Sequence, residues 1–588
     1  MISTRLTRIV QFVIIFILPW LTEVGTAKAD INTAGPLHAK LIVRGSYLSG
    51  IPVLVRIEVV NDSGKIERGL WDAQASLSVD NPNVNLSTNK VVLYNGLGST
   101  LVKLTGSGNV TLTAKVNGME DSRQLLDLAG QPVTSVSGTL AGDSVWSGII
   151  HITGNIIVPI GHKLIVQPDT LVLINGVSSG NNGTNIEVRG KIESLGTIDE
   201  PVTFTAFDPA RAWGQIRHIN ATPSLYQYTD ITRGGHSPGM GHTGAGPVIR
   251  PENSQINFNY CSITDNDGKI MYATGSDLTF RWCHFARSVM GPEIEGTGLL
   301  FEDGFINEMF GPDDDDGIYL IRQGTGQNIE LRRGVIANCD DDGVDTLNSN
   351  ILIEDFIIRD CYDKGVSVNG GEQERINHAL IINNGTGVAA KEGDTTGNVH
   401  VYIDNATIVS TNTGRPVSDI GIHSYIKYTT TGVVEYFVTN SIILAADPVK
   451  SDFTDPDPLI RIDYSDVAEA WSGTGNINAD PCFADVNSGD YHLKSQAGRW
   501  DANEGHWTID DVTSPCIDAG DPASPIGLEP FPNGGIINMG AYGGTQQASK
   551  SYFGEPPCET IVAGDINGDC KIDTTDLWLM TSHWLEEK

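Results

Sequence analysis

Four glycine–aliphatic steps recur in the middle of this chain, at Gly317-Ile318, Gly343-Val344, Gly365-Val366 and Gly387-Val388, with spacings of 26, 22 and 22 residues. Longer segments repeat with the same period. Gln255-Ile-Asn-Phe-Asn-Tyr-Cys261 returns as Asp277-Leu-Thr-Phe-Arg-Trp-Cys283, and the run from Asn328 to Cys339 returns from Asn350 to Cys361. A period near 22 residues, made of two or three short strands without a helix, fits one coil of a parallel β-solenoid. The leucine–asparagine signature of a leucine-rich repeat is missing. Coils stack at the ~4.8 Å strand spacing, so residues at equal register form columns along the axis.

The texture of short strands separated by glycine or proline begins near residue 136 with Trp146-Ser-Gly-Ile-Ile-His-Ile-Thr-Gly154. Before it, residues 36–135 alternate apolar and polar, as in Pro52–Val60 and Asn109–Val116, with turns at Asp62-Ser-Gly64 and Asn95-Gly96. About seven such strands predict an immunoglobulin-like antiparallel β-sandwich acting as a spacer. Apolar residues make up 40% of the 588, enough to build a core, which excludes global disorder. A net charge of −34 repels phosphate backbones and argues against nucleic-acid binding.

Arg5 and Arg8, the apolar run Ile9–Leu18 and Ala27-Lys28-Ala29 predict a signal peptide over 1–29, cleaved near Ala29. The run is too short to span a bilayer, so the expected product is secreted or held at the cell surface, with no membrane span. Eight cysteines suit an oxidising compartment. Cys482 with Cys516 and Cys558 with Cys570 are late-chain candidates for pairing.

On its period, on Trp146, and on the closing segments Ser514–Asp521 and Ile537–Gly544, the span 136–550 resembles secreted bacterial right-handed parallel β-helix proteins of the pectate-lyase-like superfamily. The expected fold is therefore all-β: a right-handed parallel β-helix preceded by the sandwich and followed by a short α-helical calcium-loop tail at 556–588. In that tail Asp565, Asn567, Asp569, the Lys571 carbonyl, Asp573 and Asp576 fall at calcium-loop spacing. The pattern resembles one repeat of a dockerin-type module, which implies a cohesin-like or cell-surface attachment partner.

The candidate site lies where carboxylates crowd the repeat. Aligning the glycines stacks Asp316, Asp342 and Lys364 in one column, with Asp315, Asp341 and Asp363 beside it. Two bare carboxylates ~4.8 Å apart repel by roughly 3.5 kcal/mol at an effective dielectric near 20, so a cation, a raised pKa or the lysine must compensate. Asp316-Gly-Ile followed by Asp341-Asp-Gly-Val-Asp345 resembles the calcium site of one group of β-helix pectate lyases. The resemblance implies calcium held by Asp316, Asp341, Asp342 and Asp345, an acidic uronate polysaccharide as substrate, and β-elimination with a lysine or arginine as base. In that group the base follows the glycine of a later coil in G-x-K-x-G-G. Here the matching segment is Gly365-Val-Ser-Val-Asn-Gly-Gly371 and Ser367 stands in the lysine's place, which leaves Lys364, Lys391 and Arg375 as candidate bases.

Two other readings stay open. Asp-Asp-Gly-Val-Asp followed by Asp-Lys-Gly-Val-Ser-Val also resembles non-catalytic β-helix domains of exported surface or matrix proteins, with a calcium staple and a Lys364–Asp342 ion pair. Aspartates on successive coils also resemble a polygalacturonase-like hydrolase, with Asp316, Asp341 and Asp342 as acid and base, although its Gly-His-Gly and R-x-K motifs are missing. His151, His400 and His423 read as satisfied single histidines. Gly234-Gly-His236 to Gly246, with His242, reads as a flexible loop. Tyr319, Trp213 and Trp282 are aromatic candidates for sugar contact. The expected assembly is a monomer.

Overall fold

The computed structural model describes residues 36–311, 314–371, 373–391, 399–410, 419–427, 433–453, 459–502, 505–554, 564 and 572–582. The expected leader at 1–29, Cys558 and Cys570 lie outside them. Among the described residues the architecture is all-β apart from the helix Thr574–Ser582.

From Val133–Thr139 to Asp466–Val467 the strands stack in parallel, in one 25-stranded and one 13-stranded sheet that wrap into a β-helix. A full coil has three strands. In the coil richest in carboxylates these are Val344–Leu347, Leu352–Glu354 and Ile357–Arg359. They pair with Lys364–Asn369, Glu374–Asn377 and Leu380–Ile382 of the next coil. The three strips they define are an aspartate face, a groove face and a covered face.

Alternation along each strand sends every second side chain inward. Ile318, Val344 and Val366 fill the interior from the aspartate face, Ile353 and Ile376 from the groove face, and Ile336, Ile358 and Ile381 from the covered face. Rings stack coil upon coil as well: Tyr226, Phe258 and Phe280 lie 4.8 and 5.1 Å apart between centroids.

The recurring glycines have a steric cause. A Cβ on Gly343 would lie 2.6 Å from Ile358 Cγ2 and 2.7 Å from the Gly365 carbonyl oxygen, and a Cβ on Gly365 would meet Ile381 and the Gly387 carbonyl oxygen at 2.7 Å. The next coil's backbone occupies the volume a side chain needs. At the corner between the groove and covered faces, one residue per coil turns in the left-handed region: Tyr260, Trp282, Asp303, Arg333 and Asp355 have φ of 51–55°. That conformation costs an ordinary residue roughly 1–2 kcal/mol. Contacts between coils offset it: Tyr260 stacks on Trp282 at 4.6 Å, and Arg333 donates to both Asp303 oxygens.

Residues 38–127 form a nine-stranded unit, two strands more than the sequence suggests, paired antiparallel except for Ser46–Tyr47 beside Met119–Asp127. It packs on the covered face through arginines. Arg359, 2% exposed, donates to Asn95 at 2.8 Å and to Asp72 at 2.5 Å, with its guanidinium 4.5 Å from the Trp71 ring. Arg68 reaches both oxygens of Asp355 at 2.9 Å.

The parallel strands end at Asp466–Val467, followed by one isolated parallel bridge from Asp466 to Ile477, whereas the sequence carries the solenoid to 550. Beyond it the chain makes two antiparallel hairpins, Phe483–Asp485 with Asp490–Leu493 and Arg499–Asp501 with His506–Thr508, and then turns. This segment folds back on the covered face. The outward apolar column Phe305–Val335–Ile357–Leu380 is buried against Phe483, Tyr491, Leu493, Ile517 and Met539. Removing such a row from water is the driving force for the fold-back. Cys482 and Cys516 are free thiols, so the expected late-chain pair is not formed; Cys516 Sγ donates to Asp466 at 3.1 Å. No helix among the described residues is long and apolar enough to cross a membrane.

Candidate metal centre on the aspartate face

Asp316, Asp342 and Lys364 each precede a stacked glycine, so stacking the glycines stacks them too. Asp316 Oδ1 accepts the Asp342 N–H at 3.3 Å, and Asp342 Oδ1 accepts the Lys364 N–H at 2.9 Å. Lys364 Nζ turns back onto Asp342 Oδ1 at 3.2 Å and contacts the Asp363 carboxylate. Asp341, Asp342 and Asp363 each present a carboxylate oxygen, and these three oxygens lie within 4.8 Å of one another. Hard oxygen donors at that spacing suit calcium, which takes six to eight oxygens in loose geometry, and three ligands leave most of its shell for water or a ligand. Asp363, beside the column in the sequence, joins the oxygen cluster, while Asp316 sits buried one coil back.

Asp345 is on the outer side of the strand, because Val344 points inward. It lies in register with Tyr319 on one coil and Ser367 on the next. Lys391 is buried one coil further on, its Nζ 3.4 Å from Ser367 Oγ and 5.6 Å from the Tyr425 ring centroid. Arg375 is elsewhere. It stands on the groove face in register with Leu352 and Tyr402, its guanidinium 4.9 Å from the Tyr402 ring. There it borders an open groove of about 800 Å³ with Gln323, Gln327, Asn350 and Gln373. The fold brings Lys364 and Lys391 to the aspartates and leaves Arg375 apart.

The carboxylates outnumber the cations, and their protonation reflects it. Burial pushes Asp342 up to about 8, with Lys364 opposing and Asp345, Asp341 and Asp363 adding to the rise. Burial likewise lifts Asp341 to about 6 and raises Asp316 well above the carboxylate range, Asp345, Asp342 and Asp341 reinforcing it. For Lys364 burial favours the neutral amine, but Asp342 and Asp363 outweigh it and the pKa rises. Lys391 rises in the same way, through Asp345 and Tyr425.

The folded Asp342 binds its proton more tightly than the unfolded chain does, so this group's stabilisation is complete below the unfolded pKa. It is lost as pH rises towards about 8. In chelator, denaturant melts should show stability falling from about pH 5 to about pH 8, and Asp342→Asn should flatten that slope. An unchanged slope in the variant would contradict the assignment.

The sequence missed the cover of this face. The glycine-rich stretch 234–246 is not loose: Lys269 and Glu293, buried and ion-paired, hold it from below. Lys269 Nζ donates to the Met240 carbonyl at 2.9 Å, and the Glu293 carboxylate accepts the His242 N–H at 2.8 Å. Gly241, at φ +61°, has no room for a Cβ against Glu293. His242 Nε2 lies 2.9 Å from Asp314 Oδ2, and its ring meets Tyr319 edge-on at 5.2 Å. Tyr319 is in register with Glu293 and Asp345. No local signal in 234–246 points to partners that far along the chain.

Other candidates are in structural roles. His151 stacks on Phe207 at 4.0 Å, His400 pairs with Glu435 and His423 with Asp452. Trp213 is buried and donates to the Thr232 carbonyl at 2.8 Å, and Trp282 is a corner residue. In the tail, Asp565, Asn567, Asp569 and Lys571 lie outside the described residues. The Asp573 N–H donates to the Asp576 carboxylate at 2.8 Å, at the start of the helix Thr574–Ser582.

Residues 463–520 match the model of a family described as disaggregatase related. The match covers the end of the stack and much of the folded-back segment, a small part of the chain. A search of curated proteins finds no match.

Proposed function

We propose that this is an exported, calcium-binding parallel β-helix protein that acts on extracellular polysaccharide, and that its chemistry is β-elimination on a uronate polymer. The observation that carries the reading is the convergence of Asp341, Asp342 and Asp363 from adjacent coils on one oxygen cluster. A long parallel face suits an extended polymer, and the family described as disaggregatase related is compatible with such a role. Asp341, Asp342 and Asp363 would hold the cation, with Asp316 and Asp345 shaping its field. Bound calcium would supply the positive charge that pairs with a uronate carboxylate and acidifies the neighbouring C–H. The C-terminal calcium-loop segment would serve attachment to a cohesin-like or surface partner.

A non-catalytic surface protein is the second reading, and the Lys364–Asp342 ion pair favours it, since a lysine already neutralises part of the cluster. Ultraviolet absorbance of the unsaturated uronate product separates the two. Incubated with polygalacturonate, alginate or hyaluronan, the protein should give a calcium-dependent rise that chelator stops and Asp342→Ala abolishes. Flat traces from folded protein across these polymers would sink the lyase and leave the attachment reading.

A further inference from the structure

We propose that His242, oriented by Asp314, is the group that accepts the proton on the aspartate face and delivers it to the leaving oxygen. This rests on the elimination reading above. Elimination needs a base beside the cation, and the three basic residues singled out from the sequence are poorly placed for it. Lys364 shares its ammonium between Asp342 and Asp363, Lys391 is buried between Ser367 and Tyr425, and Arg375 stands on another face.

His242 differs on each count. Its side chain is 45% exposed, on a loop lying over the same face. With Nε2–H donated to Asp314, the network assigns the lone pair to Nδ1, the tautomer a base requires. A ring nitrogen oriented by a carboxylate, with its other nitrogen open to a ligand, is the usual arrangement of a positioned base. Its ring packs on Tyr319, whose coil neighbours in register are Glu293 and Asp345. The charged and titratable groups facing His242 are Asp314, Tyr319 and the Glu293–Lys269 pair, and the same pair fixes the backbone at Met240 and His242.

The step balances without an external reactant. Nδ1 of His242 takes the proton on the carbon next to the uronate carboxylate, and that C–H electron pair becomes the new C=C bond. The bond from the β-carbon to the glycosidic oxygen breaks, and the departing oxygen takes the proton from Nδ1 of the imidazolium, which returns the ring to its neutral form. Asp314 touches no substrate and is a positioning residue.

The test uses the mature full chain with calcium on the same three uronate polymers, following product absorbance across pH. His242→Gln should lower kcat about 10²–10⁴-fold with KM within a few-fold, and should remove the acid limb of the kcat/KM profile. His242→Ala should regain activity with added imidazole, which a structural histidine would not do. Tyr319→Phe, which keeps the ring contact, should leave kcat within a few-fold of wild type. Calcium titration and melting temperature should match wild type in all three, since none of these residues is assigned to the oxygen cluster. Active wild type with His242→Gln at full rate and an unchanged acid limb overturns this inference alone. Inactive wild type on all three polymers overturns the elimination reading and this one with it.

Discussion

Lys364→Met should cost about 3–5 kcal/mol in the presence of chelator, the usual penalty for stranding buried charge by removing one partner. Lys364 is a cation built into the oxygen cluster, with its side chain only 15% exposed and its ammonium on Asp342 and Asp363. Without it, Asp341, Asp342 and Asp363 face one another across less than 4.8 Å with no counter-charge. Protonation relieves part of that below neutral pH, so the loss should be greatest in alkaline buffer, where Asp342 is ionised. Millimolar calcium should restore most of the melting temperature, because removing the ammonium frees the oxygens it occupied. Thermal melts with and without calcium check this. A variant that melts like wild type in chelator, or that calcium does not rescue, would contradict the assignment of the cluster as a cation site.

The second large effect concerns the backbone beneath the cluster. Gly343→Ala inserts a methyl 2.6 Å from Ile358 Cγ2 and 2.7 Å from the Gly365 carbonyl oxygen, and neither neighbour is a flexible chain end. Overpacking of this kind costs about 1–3 kcal/mol, and the upper end is expected where backbone must move. Asp342 precedes this glycine, so the shift should also weaken calcium binding. Gly154→Ala is the control: its Cβ would meet Ser137 Cβ at an ordinary 3.6 Å and should leave stability nearly unchanged. Chemical denaturation of the two variants makes the comparison. Equal stability would refute the close-approach explanation of the repeat.

Those same glycines explain how much of the molecule is legible in its sequence. A stacked coil cannot tolerate a side chain where the next backbone passes, so Gly317, Gly343, Gly365 and Gly387 recur, and the column Asp316–Asp342–Lys364 can be aligned from them. The corners cannot be read this way. Tyr260, Trp282 and Arg333 adopt a conformation that asparagine or glycine would announce, and they are held there by neighbours in other coils. Arg375 shows the limit of counting along the chain: it is close in sequence to Lys364, but the corner at Gly370 carries it onto the groove face. The fold-back of 483–549 has no period and depends on an apolar column assembled from four coils. The ordered cover over the aspartates depends on Lys269 and Glu293, which lie outside the glycine-rich segment they hold.

Cation binding by the crowded aspartates is the central property of this face. The direct measurement is calorimetric titration of the full chain with calcium, beside the double variant Asp342→Asn, Asp363→Asn and beside Lys364→Met. All three proteins share the C-terminal segment, so the informative quantity is the difference between them. Wild type should show one more calcium bound than the double variant, and Lys364→Met should bind that extra ion more tightly. Identical stoichiometry and affinity in wild type and the double variant would contradict it, leaving the lysine alone to neutralise the column.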